Sequence, residues 1–176
     1  ATEMLKSYLL SSITDPDKQE DANELWKSRI AALNALGKNV ESDAIKAWLR
    51  SQHSTKIREH RNGATPEDFD RIGTEFHRWV RDASDSLGLT RSNDFFRFIQ
   101  SDFEFHARQY MRVVRASLTL TPGLEHIRYN ADHGFTLQNM LLLAPLCPDD
   151  DEDVIRLKLS LTAHSVDILI SQRIWN

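Results

Sequence analysis

Seven histidines are the residues of this chain best able to bind a metal or move a proton. His126 and His133 lie close together in LEHIRYNADHGF, with Asn130 between them. A His-Asn-His nuclease uses these residue types, but its first and last histidines lie about twenty or more residues apart in a ββα-metal frame. The shorter spacing predicts a connector with one short helical turn, in which Asn130 and Gly134 form turns and Phe135 enters the core. The alternative is a metal site, or a stand-alone helical enzyme that uses His126 and His133.

Other catalytic signatures are absent from the sequence. The six glycines are dispersed and form neither GxxxxGK nor GxGxxG, and no GxSxG occurs. A single cysteine, Cys147, excludes a disulfide within the chain and a cysteine-pair zinc site. It is also typical of the reducing cytoplasm, where we expect the protein to reside. We therefore predict no catalytic residue, no metal and no cofactor for this chain.

The stretch WLRSQHSTKIREHRNG is strongly basic. Clustered lysine and arginine side chains bind phosphates and release counterions, so this stretch indicates a nucleic-acid surface. The predicted contact residues are Arg50, Lys56, Arg58 and Arg61. If one helix runs through the stretch, Arg50 and Arg61 share a face, Arg58 joins them and Lys56 lies off the line. The alternative is a solvated helix face that pairs with the nearby acidic EDFD.

Composition is that of an ordinary globular protein without a membrane segment. The chain has 176 residues and a net charge of −4. The acidic block DDDED at residues 149–153 accounts for more than this charge, and the remaining residues carry a net +1. An acidic block before a helix complements the helix dipole. No window approaches about 18 uninterrupted apolar residues, so no membrane span is predicted.

Helical periodicity runs through nearly every segment and predicts an all-α fold of about seven to nine helices. Residues 1–176 are expected to form one helical domain, with a possible subdivision near residues 88–92. Asp15–Pro16 and Thr65–Pro66 are typical helix starts. The expected core includes Trp26, Trp48, Trp79 and an aromatic stripe from residue 95 to residue 114. The last helix, about residues 152–174, has two apolar faces, which predicts burial on most sides.

Several stretches resemble one bacterial protein family. TEMLKSYLL, ELWK, FHRWVRD, YNADHGFTLQNMLLLAPL and RIWN are similar to the helical middle region of GmrSD-type modification-dependent restriction and phage-defence proteins. In that family a ParB/sulfiredoxin-like domain with a DGQQR motif hydrolyses nucleotide, and many members end in a His-Asn-His-type nuclease domain. The resemblance covers nearly all of this chain, but its motifs are diffuse and structural.

The resemblance implies a non-catalytic role for this part of the protein. DGQQR and a complete nuclease motif are both absent here, so no catalytic residue of the family can be placed on this chain. The expected function is that of a module that spaces a nucleotide-hydrolysing domain and a nuclease domain. Its expected partners are the flanking domains of the same chain and DNA. On this interpretation the chain is an internal fragment of a nucleotide-dependent endonuclease.

Overall fold

The computed structural model describes residues 1–59 and 63–174, with side chains through residue 173. Within these ranges the fold is all-α and contains no strand, so the predicted fold class is confirmed. The helices are α1 (Thr2–Ser11), α2 (Pro16–Asn34), α3 (Val40–His53), α4 (Asp68–Asp82), α5 (Ser92–Arg97), a π-helical segment (Phe98–Phe103), α6 (Glu104–Leu118), α7 (Glu125–Asp132), α8 (Gln138–Leu143) and α9 (Glu152–Ile174).

The predicted number of helices is also confirmed. Helix α5, the π-helical segment and α6 follow one another without a break. When they are counted as one, the described part of the chain contains eight helices. None of these helices is both long enough and apolar enough to cross a membrane.

The chain divides into two compact units, Ala1–Ala107 and Arg108–Asn176. The division falls within α6, which therefore contributes residues to both units. Residues 88–92, where the sequence suggested a subdivision, lie inside the first unit.

Aromatic side chains fill the core of the first unit. Trp26, Trp48 and Trp79 are buried, as the periodicity predicted. The Trp26 ring stacks on that of Phe103 with 4.4 Å between centroids, and the Trp48 ring lies 4.8 Å from that of Phe98. These contacts join α2 and α3 to the π-helical segment, because aromatic rings bury a large apolar area in offset or tilted pairs.

Two predicted helix starts have different outcomes. Asp15 caps α2 as predicted, since its carboxylate accepts hydrogen bonds from the backbone N–H groups of Asp17 and Lys18. The prediction that Thr65 caps α4 is wrong. Glu67 is the N-cap, and the Asp70 carboxylate accepts a bond from the Glu67 N–H, so an acidic capping box replaces the expected threonine cap.

The predicted connector around His126 is instead a helix of two turns, α7. Leu124, Ile127 and Asn130 are buried three residues apart, and this spacing places them on one helix face. Asn130 therefore lies in a helix and not in a turn. Gly134 follows α7 with φ 73°, the left-handed conformation that commonly ends a helix at glycine.

Helix α9 has the predicted bounds, but the prediction that it is buried on most sides is wrong. One stripe is buried, formed by Ile155, Leu159, Ala163 and Val166. The other apolar residues are exposed, namely Val154, Leu157, Leu161, Ile168 and Leu169. The packing of α9 on α7 and α8 covers one face of α9. A second apolar face in the sequence therefore does not imply that another element covers it.

Two leucines of α9 provide a matched test of this correction. Leu159 is fully buried and Leu161 is 58% exposed. We expect Leu159→Ala to lower the free energy of unfolding by about 2–5 kcal/mol, because it leaves a cavity in the core. Leu161→Ala should change it by no more than about 0.5 kcal/mol. Urea denaturation of the two variants measures both effects, and similar losses in the two would contradict the one-sided burial of α9.

Candidate functional site

The predicted nucleic-acid surface does not lie on one continuous helix. Helix α3 ends at His53, and residues 54–59 are irregular. The Asp68 carboxylate accepts hydrogen bonds from the Thr55 hydroxyl and N–H, at 2.9 and 3.3 Å. The Phe69 N–H donates to the Lys56 carbonyl at 3.1 Å. These bonds fasten the segment to the start of α4, so the expected common face of Arg50 and Arg61 cannot be a face of α3.

Arg50 joins two helices. Its Nε donates to the Phe69 carbonyl oxygen at 2.9 Å, and its Cζ lies 4.0 Å from the centroid of the Phe69 ring. Gly73 makes room for the guanidinium, because a Cβ there would stand 2.1 Å from Arg50 Nη2. Burial lowers the pKa of Arg50, while the negative charge of Asp70 raises it. These contacts hold Arg50 between α3 and α4.

The other predicted contact residues are placed differently. Lys56 and Arg58 are exposed on the irregular segment after α3, where they can meet an anion. Arg61 lies outside the described residues. The structure therefore brings no more than two of the four residues to an exposed position within the part of the chain that it describes. Binding of nucleic acid at these residues stays a prediction.

Substitutions distinguish the structural role of Arg50 from the exposed position of Arg58. Arg50→Ala should lower the free energy of unfolding by about 2 kcal/mol, because it removes a charged hydrogen bond and a cation–π contact. Arg58→Ala removes an exposed side chain and should change stability by no more than about 0.5 kcal/mol. Thermal and urea unfolding are the measurements. An Arg50→Ala variant as stable as the Arg58→Ala variant would show that the α3–α4 contact does not depend on this guanidinium.

A carboxylate between two imidazoles forms a partly buried polar cluster in the first unit. Asp102, in the π-helical segment, has its Oδ2 3.0 Å from Nε2 of His53 and its Oδ1 3.0 Å from Nδ1 of His106. His106 is fully buried, and its Nδ1 also lies 2.8 Å from the Asp102 carbonyl oxygen. The Trp48 ring stacks on the His106 ring with 6.4 Å between the ring centroids.

Electrostatics keeps Asp102 ionised. Burial raises the pKa of this carboxyl, but hydrogen bonds and electrostatic attraction from His106 and His53 outweigh burial and hold the pKa well below its ordinary value. An aspartate that orients an imidazole is common in acid–base catalysis. Here both imidazoles turn a nitrogen to the same carboxylate, and the His106 ring is out of reach of solvent. This arrangement serves to hold α3 against the π-helical segment.

The Asp102 cluster predicts a pH dependence of stability. A pKa lower in the folded than in the unfolded state gives stability that is present above the unfolded pKa of about 4 and is lost as the pH falls below it. Asp102→Asn should lower the free energy of unfolding by about 2–4 kcal/mol at neutral pH. It should also weaken the acid dependence below about pH 4.

The matched control is Asp132→Asn. Asp132 is half exposed and pairs with Arg128 at 3.0 Å, an exposed geometry that contributes about 0–1 kcal/mol. Urea denaturation at several pH values measures both variants. Equal stability and equal acid dependence in the two variants would refute the role given to Asp102.

His126 and His133, the sequence-based candidates, lie apart. His126 is the second residue of α7, whereas His133 is the residue that follows the end of this helix. His126 Nδ1 contacts Oδ2 of Asp167 at 2.7 Å, and its ring stacks on that of His164 with 4.5 Å between centroids. His133 instead lines an apolar cavity of about 810 Å³ with Phe135 and residues of α9.

The chemistry open to these histidines is limited. No group of three histidine, cysteine, aspartate or glutamate side chains is arranged to hold a metal ion in the described part of the chain. The contact with Asp167 leaves Nε2 of the half-exposed His126 ring as a potential general base. Sequence spacing does not reveal this contact, because the approach of His126 to Asp167 depends on the packing of α7 against α9.

The buried amide side chains of the stretch YNADHGFTLQNMLLLAPL connect helices of the second unit. Asn130 is buried and its Nδ2 donates to the Ala163 carbonyl oxygen at 3.0 Å, which connects α7 to α9. Gln138 is buried and its Nε2 donates to the Ile127 carbonyl oxygen at 3.0 Å, which connects α8 to α7. Leu142, Leu143 and Leu146 complete this core. The polar residues of the stretch position helices in the second unit.

Comparison of the chain with protein-family models, with curated proteins and with solved structures finds no match.

Proposed function

We propose that the chain is a non-catalytic helical module of a DNA-targeting restriction or phage-defence protein of GmrSD type. In this proposal it spaces a nucleotide-hydrolysing domain and a nuclease domain of the same polypeptide. The resemblance of TEMLKSYLL, FHRWVRD and YNADHGFTLQNMLLLAPL to the helical middle region of that family is one support.

The observation that carries the proposal is the use of polar side chains in helix packing. Asn130 and Gln138, in the longest stretch of resemblance, bond to main-chain carbonyl groups. Asp102 and His106 hold each other in the core of the first unit. Residues that could do chemistry therefore stabilise helix contacts, as a module that positions other domains requires.

A second candidate function is acid–base catalysis at His126. The 2.7 Å contact with Asp167 favours it, because a carboxylate on Nδ1 orients the imidazole and leaves Nε2 to accept a proton. In this alternative the chain is an enzyme by itself, and His126 is its general base.

Activity assays decide between the two proposals. The 176-residue chain should neither cleave duplex DNA nor hydrolyse nucleoside triphosphates with Mg²⁺ present. The complete reading frame should encode DGQQR before this segment, and its product should cleave modified DNA when supplied with nucleotide. DNA cleavage or nucleotide hydrolysis by the chain alone, abolished in both His126→Ala and Asp167→Asn variants of unchanged helicity, would overturn the module and support the enzyme. A reading frame without DGQQR would also count against the module.

A further inference from the structure

A groove lined by arginines lies in the second unit, which does not contain the basic stretch of the sequence. Arg112 and Arg115 of α6, Thr121 of the following turn and Arg156 of α9 border a space of about 420 Å³. Leu124 contributes to its apolar lining. Three guanidinium groups around one concave surface form a strong local positive charge on a protein whose net charge is −4.

Two of these arginines are available to an anion. Arg115 and Arg156 are exposed, and across the described ranges no carboxylate lies within ion-pair distance of either one. The Arg156 Nη2 atom lies against Gly123, 3.6 Å from where a Cβ would stand. The Gly123 N–H is occupied by Oε1 of Glu125 at 2.9 Å, so the binding capacity of the groove comes from the guanidinium groups.

Arg112 is partly neutralised. Its Nη2 and Nη1 donate to the two carboxylate oxygens of Glu152 at 2.7 and 3.2 Å. Glu152 itself is largely exposed. The pair therefore holds Arg112 in place at the groove and lowers the local positive charge. Glu152 should weaken the binding of an anion, whereas the arginines should strengthen it.

The arginines of the groove lie in succession. Arg112 and Arg115 have the i, i+3 spacing that places side chains on one helix face, and Arg156 lines the same groove from α9. Arg112 and Arg115 are about 4.5 Å apart along the helix axis. A single strand of B-DNA carries one phosphate per about 3.4 Å of duplex axis, so neighbouring phosphates have a similar spacing. A linear polyanion fits a row of this kind better than one isolated phosphate does.

We propose that this arginine groove binds backbone phosphates of a nucleic acid. Arginine suits the role because its planar guanidinium makes two parallel hydrogen bonds to a phosphate. Contacts of this kind fix position on the polymer without reading its sequence. The choice of nucleic acid as the polymer rests on the function proposed above, whereas the affinity of the groove for phosphate groups does not.

The test is binding of a fluorescent 20-base-pair duplex at low salt, followed by anisotropy. The variants are Arg115→Gln/Arg156→Gln and, as a charge-matched control, Arg78→Gln/Arg97→Gln on exposed positions of the first unit. Wild type should show a log–log salt slope near −2 from the contacts of Arg115 and Arg156, and the groove variant a slope near zero. The groove variant should bind at least about fivefold more weakly than the control at the same salt. Glu152→Gln should bind more tightly than wild type, because it unmasks Arg112.

Circular dichroism verifies that each variant keeps its helicity. Equal affinity of the groove variant and the control, or no binding by wild type at low salt, would overturn the proposal. Binding of ATP that depends on the groove, without binding of the duplex, would overturn the assignment to a polymer. If the groove does not bind the duplex, the full-length product can still contain DGQQR and cleave DNA when supplied with nucleotide. The result of the binding assay is therefore independent of the activity assay that tests the proposed function.

Discussion

The packing of this protein depends on one constraint, which is that a polar group buried among helices must find a partner there. Asp102 meets this constraint in the first unit by contacting His53 and His106, and the three residues hold α3 against the π-helical segment. Asn130 and Gln138 meet it in the second unit through their amide nitrogens, which donate to main-chain carbonyl groups of neighbouring elements, whereas their buried amide oxygens have no hydrogen-bond partner among the described residues. Apolar burial supplies most of the driving force in both units, but it is non-directional. The polar contacts decide which helix faces meet.

The helices could be predicted from the sequence because their signals are local. Asp15 caps α2 with its side chain, and the ring of Pro16 fixes a helical backbone angle at the first position. Both effects act within the first turn of the helix. The failures arose where a long-range contact decides the outcome. Asn130 was predicted in a turn because asparagine favours turns, yet the Ala163 carbonyl group, 33 residues away, gives its amide a buried partner. Helix α9 was predicted to be buried on most sides, since periodicity reports apolar faces and not the neighbours that cover them.

The sequence identifies residue types that could form a site, but it does not reveal what each residue contacts in the fold. The basic stretch has the composition of a phosphate-binding surface, but Arg50 lies between α3 and α4 in contact with Phe69. The arginine groove escaped notice because Arg115 and Arg156 are 41 residues apart and belong to different helices. Helical spacing links Arg112 to Arg115, but only folding brings Arg156 beside them. The proposed role as a DNA-spacing module requires rigid helix contacts and a charged surface. The contacts of Arg50 are an example of the first, and the arginine groove is the candidate for the second.

The central claim is that residues capable of chemistry are used here to fasten helices, and Asp102 is its clearest case. The most direct measurement is a ¹³C NMR titration of the Asp102 side-chain carboxyl, from neutral pH downward, under conditions where the amide spectrum remains that of the folded protein. The two imidazoles should keep the carboxyl ionised, so its resonance should not yet shift when the pH reaches the ordinary aspartate value of about 3.9. A carboxyl that titrates at or above that value would contradict the account, because an uncompensated buried carboxylate could not hold His53 and His106 in place.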